Sequence, residues 1–76
     1  MKNGDFSDAI EDYTKAIELD PDYADAYNNR GYAYYLLEQY GKALNDYDKA
    51  IELDPNYEKT IYLRKMLLEE HPELKP

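Results

Sequence analysis

The sequence predicts an all-α protein of four helices, and two observations lead to this prediction. The stretch AIELDPDY at 16–23 returns as AIELDPNY at 50–57, an offset of 34 residues. Apolar residues also recur at spacings of three and four, which places them on one face of a helix. A repeat of this length is typical of stacked helical units that cannot bury their apolar faces alone. We therefore expect one domain over residues 1–76.

The first and third helices, at about 6–19 and 41–53, carry the two copies of the repeat. Their apolar stripes are Phe6, Ala9, Ile10, Tyr13, Ala16 and Ile17 in the first, and Tyr40, Ala43, Leu44, Tyr47, Ala50 and Ile51 in the third. We expect Asp5 to cap the first helix. Pro21 and Pro55 end the two helices, because the residue before a proline is steered away from helical angles.

Two further helices are expected at about 24–37 and 58–70, with Asp22 and Asn56 as their caps. Gly31 lies inside the earlier of them, where glycine costs about 1 kcal/mol relative to alanine. We therefore expect a neighbouring helix to approach closely at Gly31. The last helix is apolar on more than one side, through Ile61, Leu63, Met66, Leu67 and Leu68.

The chain carries a net charge of −8, from 17 acidic and 9 basic residues. An acidic surface repels phosphate, so we expect neither nucleic acid nor an anionic membrane as a partner. The absence of cysteine excludes disulfides and thiolate metal sites, and it suits a cytoplasmic location. No stretch has the length and apolar character of a membrane span or a signal peptide.

Residues suited to catalysis are few. The one histidine is His71, and the hydroxyls of Ser7, Thr14 and Thr60 have no base at a recognisable spacing. The acidic stretch DPDYAD at 20–25 lacks the glycine and distal glutamate of a calcium-binding EF-hand loop, so we expect it to form a turn. The sequence predicts no enzyme, no cofactor and no metal.

Residues 24–55 resemble a tetratricopeptide repeat, a helix–turn–helix with the signature W-x2-L-G-x2-Y, then A-x3-F and a closing proline. The matching residues are Gly31, Tyr34, Ala43, Ala50 and Pro55, with Tyr27 for tryptophan, Tyr47 for phenylalanine and Arg30 in place of leucine. The second half of the pattern is repeated at Ala9, Tyr13, Ala16 and Pro21. The resemblance implies alternating A and B helices in a right-handed superhelix, whose A helices line a concave, protein-binding groove.

The resemblance also implies an unusual phase, with helices in the order B-A-B-A. A half repeat at 6–23 precedes a complete repeat at 24–57, and an A-like helix at 58–71 follows. That last helix departs from the pattern, with Lys65 and Leu68 where the complete repeat has Gly31 and Tyr34. This phase suggests an excised or engineered fragment.

A candidate peptide-binding groove follows from the resemblance and comprises Asp25, Asn28, Tyr32, Tyr35 and Leu36. The tyrosines offer stacking and apolar contact, and Asn28 offers hydrogen bonds to a peptide backbone. Two interpretations stay open for these residues, a ligand surface and ordinary packing between helices. The expected partner is a protein or peptide, and a basic one suits the acidic surface. On this interpretation the chain is a non-catalytic interaction scaffold.

The unpaired terminal helices lead to an alternative, a self-assembling structural unit. The residues expected in self-association are Phe6, Ile10, Leu63, Met66, Leu67 and Leu68. A contact between the last helix of one chain and the first of another joins two different surfaces, so it builds a ring or a fibre. A twofold homo-oligomer, an exchanged helix and a monomer with its last helix folded back are the other possibilities.

Overall fold

The computed structural model describes residues 3–76, which form four α-helices and one short 3-10 helix. These are α1 (Asn3–Leu19), α2 (Ala24–Leu36), α3 (Tyr40–Leu53), α4 (Glu58–Glu70) and a 3-10 turn at Pro72–Leu74. No strand occurs within this range. The prediction of an all-α chain of four helices is therefore confirmed.

Consecutive helices pack against each other, α1 on α2, α2 on α3 and α3 on α4. The core lies around Ala43, Tyr47 and Leu67, which are at most 1% exposed. Half-buried side chains from α2, α3, α4 and the 3-10 turn surround it, namely Tyr34, Tyr35, Tyr40, Leu44, Leu63 and Leu74. The stacked arrangement buries apolar faces that no helix could bury alone.

The close approach expected at Gly31 is present between α2 and α3. A Cβ atom at Gly31 would lie 2.9 Å from two ring carbons of Tyr47 and 3.1 Å from the Cβ of Asp46. Only a residue without a side chain allows this contact, which explains a glycine in the middle of a helix.

The predicted caps of α2 and α4 are wrong. Tyr23 and Tyr57 occupy the N-cap positions of α2 and α4, and neither side chain makes a capping hydrogen bond. The Asp20 carboxylate instead accepts the backbone N–H of Asp22 at 3.1 Å, and Asp54 accepts that of Asn56 at 3.2 Å. Aspartate side chains that bond two residues onward form turns, so the upstream aspartates hold these corners. Asp5 lies within the first turn of α1, which begins at Asn3.

The α2 helix ends in a left-handed turn at Glu38. Its N–H donates to the Tyr35 carbonyl and the Gln39 N–H donates to the Tyr34 carbonyl, both at 2.9 Å. This pair of bonds is the Schellman motif, whose left-handed residue is usually glycine. Among residues 3–76, Glu38 is the one non-glycine residue with positive φ, at 61°.

Arg30 joins three helices through a buried ion pair. Its Nε and Nη2 each donate to a carboxylate oxygen of Asp46 on α3 at 2.8 Å, and its Nη1 donates to the Thr14 hydroxyl on α1 at 3.2 Å. The hydrogen bond with Asp46 is the main cause that raises the pKa of Arg30, against burial, which lowers it. Arg30, which stands where the repeat signature has leucine, thus makes a polar contact in place of an apolar one.

The α4 helix packs on α3, and three residues of the predicted self-association set are buried within the chain. Leu67 is 1% exposed, and Leu68 and Phe6 are each 9% exposed. Most of their apolar surface is covered within the same chain, and Leu68 and Phe6 each keep an edge in an open cleft. The other members, Ile10, Leu63 and Met66, are half-buried.

Candidate protein-binding surface

An exposed stripe runs along α2, and we call it the α2 stripe. It consists of Asp25, Asn29, Tyr32 and Leu36, whose spacings of four, three and four place them on one face of the helix. Tyr32 is 45% exposed and Leu36 is 38% exposed. Large apolar side chains therefore face solvent along this stripe.

Two shallow clefts lie on either side of Tyr32. The cleft toward α4 has a volume of about 300 Å³ and is lined by Asn28, Asn29, Tyr32, Lys59 and Leu63. The cleft toward α1 has a volume of about 230 Å³ and is lined by Phe6, Ala9, Tyr13, Asn29, Tyr32, Ala33 and Leu36. Asn29 and Tyr32 line both clefts, so the α2 stripe is the ridge between them. Clefts of this size suit side chains of a partner protein better than a drug-sized ligand.

Tyr35 supports Tyr32 from the side. The two rings stack with centroids 6.2 Å apart, and Tyr40 meets Tyr35 edge-on at 5.7 Å. The Tyr35 hydroxyl donates to Glu70 Oε1 on α4 at 2.6 Å. This hydrogen bond, followed by burial, raises the pKa of Tyr35 to about 12. Tyr35 is thus engaged within the fold and holds the ring of Tyr32 in place.

Asn28 is buried, although the sequence suggested a role in the groove. It is 1% exposed, and its Oδ1 accepts a hydrogen bond from the Thr60 hydroxyl on α4 at 2.6 Å. Its amide joins α2 to α4 and is not offered to a peptide. The residue that does line both clefts is Asn29, which the sequence reasoning missed. The helical spacing of Asp25, Tyr32 and Leu36 fits position 28 and position 29 equally, so the sequence alone could not separate the two asparagines.

Asp25 lies at the start of the α2 stripe, in the first turn of the helix, where a negative charge is favoured. Burial is the larger cause and the Asp25 carboxylate the second cause that raise the pKa of Tyr57 to about 12. Asp25 is exposed, so its carboxylate keeps a side that faces solvent.

His71 contacts Tyr40 and Glu73 beyond the end of α4. The His71 ring stacks on Tyr40 with centroids 3.7 Å apart, and its Nδ1 lies 3.2 Å from a Glu73 oxygen. Within residues 3–76, no cluster of three or more histidine, aspartate or glutamate side chains is arranged to hold a metal ion. None of the helices in that range is long and apolar enough to cross a membrane.

Family models identify the repeat. One model, described as a TPR repeat, matches residues 1–38, half of the chain, and a second, described as a tetratricopeptide repeat, matches residues 24–57. The chain belongs to the tetratricopeptide repeat family. Repeats of this family generally mediate protein–protein interaction and are typically non-catalytic. No curated protein matches the chain. In tetratricopeptide repeat terms, α2 is an A helix and α3 is the B helix that follows it.

Proposed function

We propose that this tetratricopeptide repeat protein is a non-catalytic scaffold that binds a partner protein on the α2 stripe. The observation that carries the proposal is Tyr32, 45% exposed between two clefts whose walls it shares with Asn29. Exposed tyrosines that neighbouring side chains hold rigidly are typical of the residues that dominate binding energy. We place this scaffold in the cytoplasm, where a chain without cysteine is at no disadvantage.

The partner segment that fits this surface is apolar at its centre and basic at its flanks. The clefts beside Tyr32 take apolar side chains through Leu63 on one side and Leu36 on the other. The net charge of −8 attracts basic flanking residues and speeds their encounter. Lys59 is the one charged side chain that lines either cleft, and it is placed to meet an acidic group of the partner.

Binding to so small a surface is expected to be weak. The two clefts together expose less surface than a stable interface of about 800 Å² per partner requires. We therefore expect a dissociation constant of about 1 μM or weaker for a linear peptide.

The test is a selection of random linear peptides displayed on phage, followed by titration of the enriched sequences. Tyr32→Ala should weaken binding roughly ten- to thirtyfold, the effect of losing an aromatic anchor worth about 1.4–2 kcal/mol. Tyr23→Ala is the matched control, since Tyr23 is 44% exposed and lines neither cleft. Equal losses in the two variants, or no enrichment of any sequence, would contradict the proposal.

A further inference from the structure

We infer that α4 in one copy of this chain receives α1 of a second copy, so that the two helices form a composite repeat. The receiving surface is the outer face of α4, the side that carries Ile61, Arg64 and Leu68. This inference goes beyond the proposed function, since it concerns a second copy of the same chain and the face of α4 in place of the α2 stripe, with Ala9 and Tyr13 shared between the two surfaces. It commits to an occupant because the α2–α3 contact inside the chain shows how such a pair packs.

The first observation is the difference in burial between α1 and α3. These helices share 11 of the 15 residues aligned between 9–23 and 43–57, with the same apolar stripe. In α3 the stripe is covered on two sides, and Ala43, Tyr47 and Ala50 are 0%, 1% and 0% exposed. The equivalent residues of α1, Ala9, Tyr13 and Ala16, are half-buried. One side of the apolar stripe of α1 packs on α2. The other side is open, and it is equivalent to the side of α3 that packs on α2.

The second observation concerns the ion pairs that two arginines at equivalent repeat positions form with aspartates. Arg30 contacts Thr14 on the helix before it and Asp46 on the helix after it. Arg64, 34 residues later, contacts Asp48, and position 48 is the equivalent of position 14. The equivalent of Asp46 in the half repeat is Asp12, which is exposed on α1. Asp12 of a second copy is therefore placed to supply Arg64 with a carboxylate at the position equivalent to Asp46.

The third observation is that the two faces are complementary in charge. A cleft of about 430 Å³ lies on the outer side of α4, with Ile51, Ile61 and Leu68 as its apolar floor. Three basic residues and one acidic residue border it, and Arg64 is among them. The α1 helix carries five acidic residues and one basic residue over 3–19. An acidic helix thus faces a basic cleft, and such a contact weakens as salt is added.

Lys65 sets the strength of this contact. It stands in the place of Gly31, where the Tyr47 ring leaves no room for a Cβ atom. In the composite repeat Tyr13 takes the place of Tyr47, so α1 stands farther from α4 than α3 stands from α2. The association is therefore weaker than the internal contact, and it is detected at high protein concentration.

The geometry of the contact is head-to-tail. Each copy offers α1 at one end and α4 at the other, so the contact is heterologous and leaves both outer ends free. The average mass should therefore grow continuously with concentration and should not stop at twice 9.0 kDa.

The experiment is sedimentation equilibrium of the full chain over a concentration series, at low and high salt. Two variants reverse the proposed pair, Asp12→Arg and Arg64→Asp, and each alone should weaken association at least tenfold. An equal mixture of the two should associate again, because each variant then presents an opposite charge to the other. Glu11→Arg is the control, as it makes the same charge change at the neighbouring, exposed position of α1 and should weaken association less than Asp12→Arg does.

Circular dichroism on each variant checks that the helices are intact, and Lys65→Gly provides a test in the opposite direction. This substitution should tighten association by restoring the close approach seen at Gly31. A wild-type mass that stays at 9.0 kDa at all concentrations overturns the inference. So does a mixture that associates no better than its two components.

Discussion

Arg30 and Arg64 stand at equivalent positions of the repeat, yet their ion pairs differ in burial. The side chains of Arg30 and Asp46 are 19% and 7% exposed, whereas those of Arg64 and Asp48 are 34% and 50% exposed. A buried charge that loses its partner costs about 3–5 kcal/mol, while an exposed pair contributes about 0–1 kcal/mol. The same side chain in the same repeat position therefore has two different energetic roles.

The Asp46→Ala variant should lower the free energy of unfolding by about 3 kcal/mol, since it leaves Arg30 buried without its carboxylate. Asp48→Ala removes the exposed partner of Arg64 and should cost less than about 1 kcal/mol. Urea denaturation followed by circular dichroism measures both values. Similar losses in the two variants would show that the burial of the pair does not govern its contribution.

Glu38 is strained in the left-handed turn after α2, and its replacement by glycine should stabilise the protein. A left-handed conformation costs a residue with a side chain about 1–2 kcal/mol, and glycine avoids this cost. Glycine also loses more conformational entropy on folding, which offsets part of the gain. We expect Glu38→Gly to raise the free energy of unfolding by about 0.5–1 kcal/mol. A Glu38→Gly variant that melts below the wild type would refute this explanation.

At the residue scale, the sequence predicts close packing between helices better than it predicts which polar side chains bond to each other. Gly31 could be interpreted correctly because a glycine inside a helix has few explanations. The role of Asn28 could not be predicted, because its partner Thr60 lies 32 residues away in sequence. Asn29 could not be separated from Asn28, because both positions lie three or four residues from Asp25 and from Tyr32.

At the scale of elements, the α2–α3 pair is the best defined contact of the molecule. Gly31 on α2 meets the ring of Tyr47 on α3, and the ion pair of Arg30 with Asp46 closes one residue away. Close steric packing and an ion pair thus hold the same two helices together. This pair is also the one that the second family model covers.

Gly31→Ala should destabilise the protein although alanine favours a helix by about 1 kcal/mol. The added methyl group would lie 2.9 Å from the Tyr47 ring, and the overpacking costs about 1–3 kcal/mol. Gly41→Ala is the matched control, because nothing lies within 4 Å of a Cβ atom at that position of α3. Thermal melts should show a lower midpoint for the first variant and an equal or higher one for the second. The opposite order would mean that the helices separate easily at Gly31.

The helices themselves could be predicted because their apolar residues recur with the period of an α-helix. The starts of α2 and α4 could not be predicted, because they depend on which side chain bonds the backbone of the preceding turn. Asp20 and Asp54 make these hydrogen bonds, in place of Asp22 and Asn56. The packing of α4 was also beyond the sequence. Its apolar residues lie on several sides, so their pattern did not select a face.

At the scale of the whole molecule, tyrosines link the helices to one another. The Tyr35 hydroxyl donates a hydrogen bond to Glu70, and the Asp25 carboxylate acts on the pKa of Tyr57. The pKa of each of these two tyrosines is raised to about 12, from about 10 in an unfolded chain. Burial raises the pKa of Tyr47 in the same direction.

Stability should therefore fall in alkaline solution. Between about pH 10 and pH 12 the unfolded chain releases tyrosine protons that the folded chain retains, so the free energy of unfolding decreases as pH rises. Below about pH 9 these groups contribute no slope. The double variant Tyr35→Phe with Tyr57→Phe should show a shallower decline in denaturation experiments from pH 8 to 12. Tyr62→Phe, at a side chain 61% exposed, is the control. A decline of unchanged steepness in the double variant would contradict this assignment.

The central claim is that the α2 stripe binds a partner protein, and a nuclear magnetic resonance titration tests it most directly. The isotope-labelled chain is titrated with the best peptide from the phage selection, and backbone shifts are followed for every assigned residue. We predict that the largest shifts fall on Asn29, Tyr32 and Leu36, with Lys59 and Leu63 beside them. Largest shifts on the outer face of α4, at Ile61, Arg64 and Lys65, would contradict the claim.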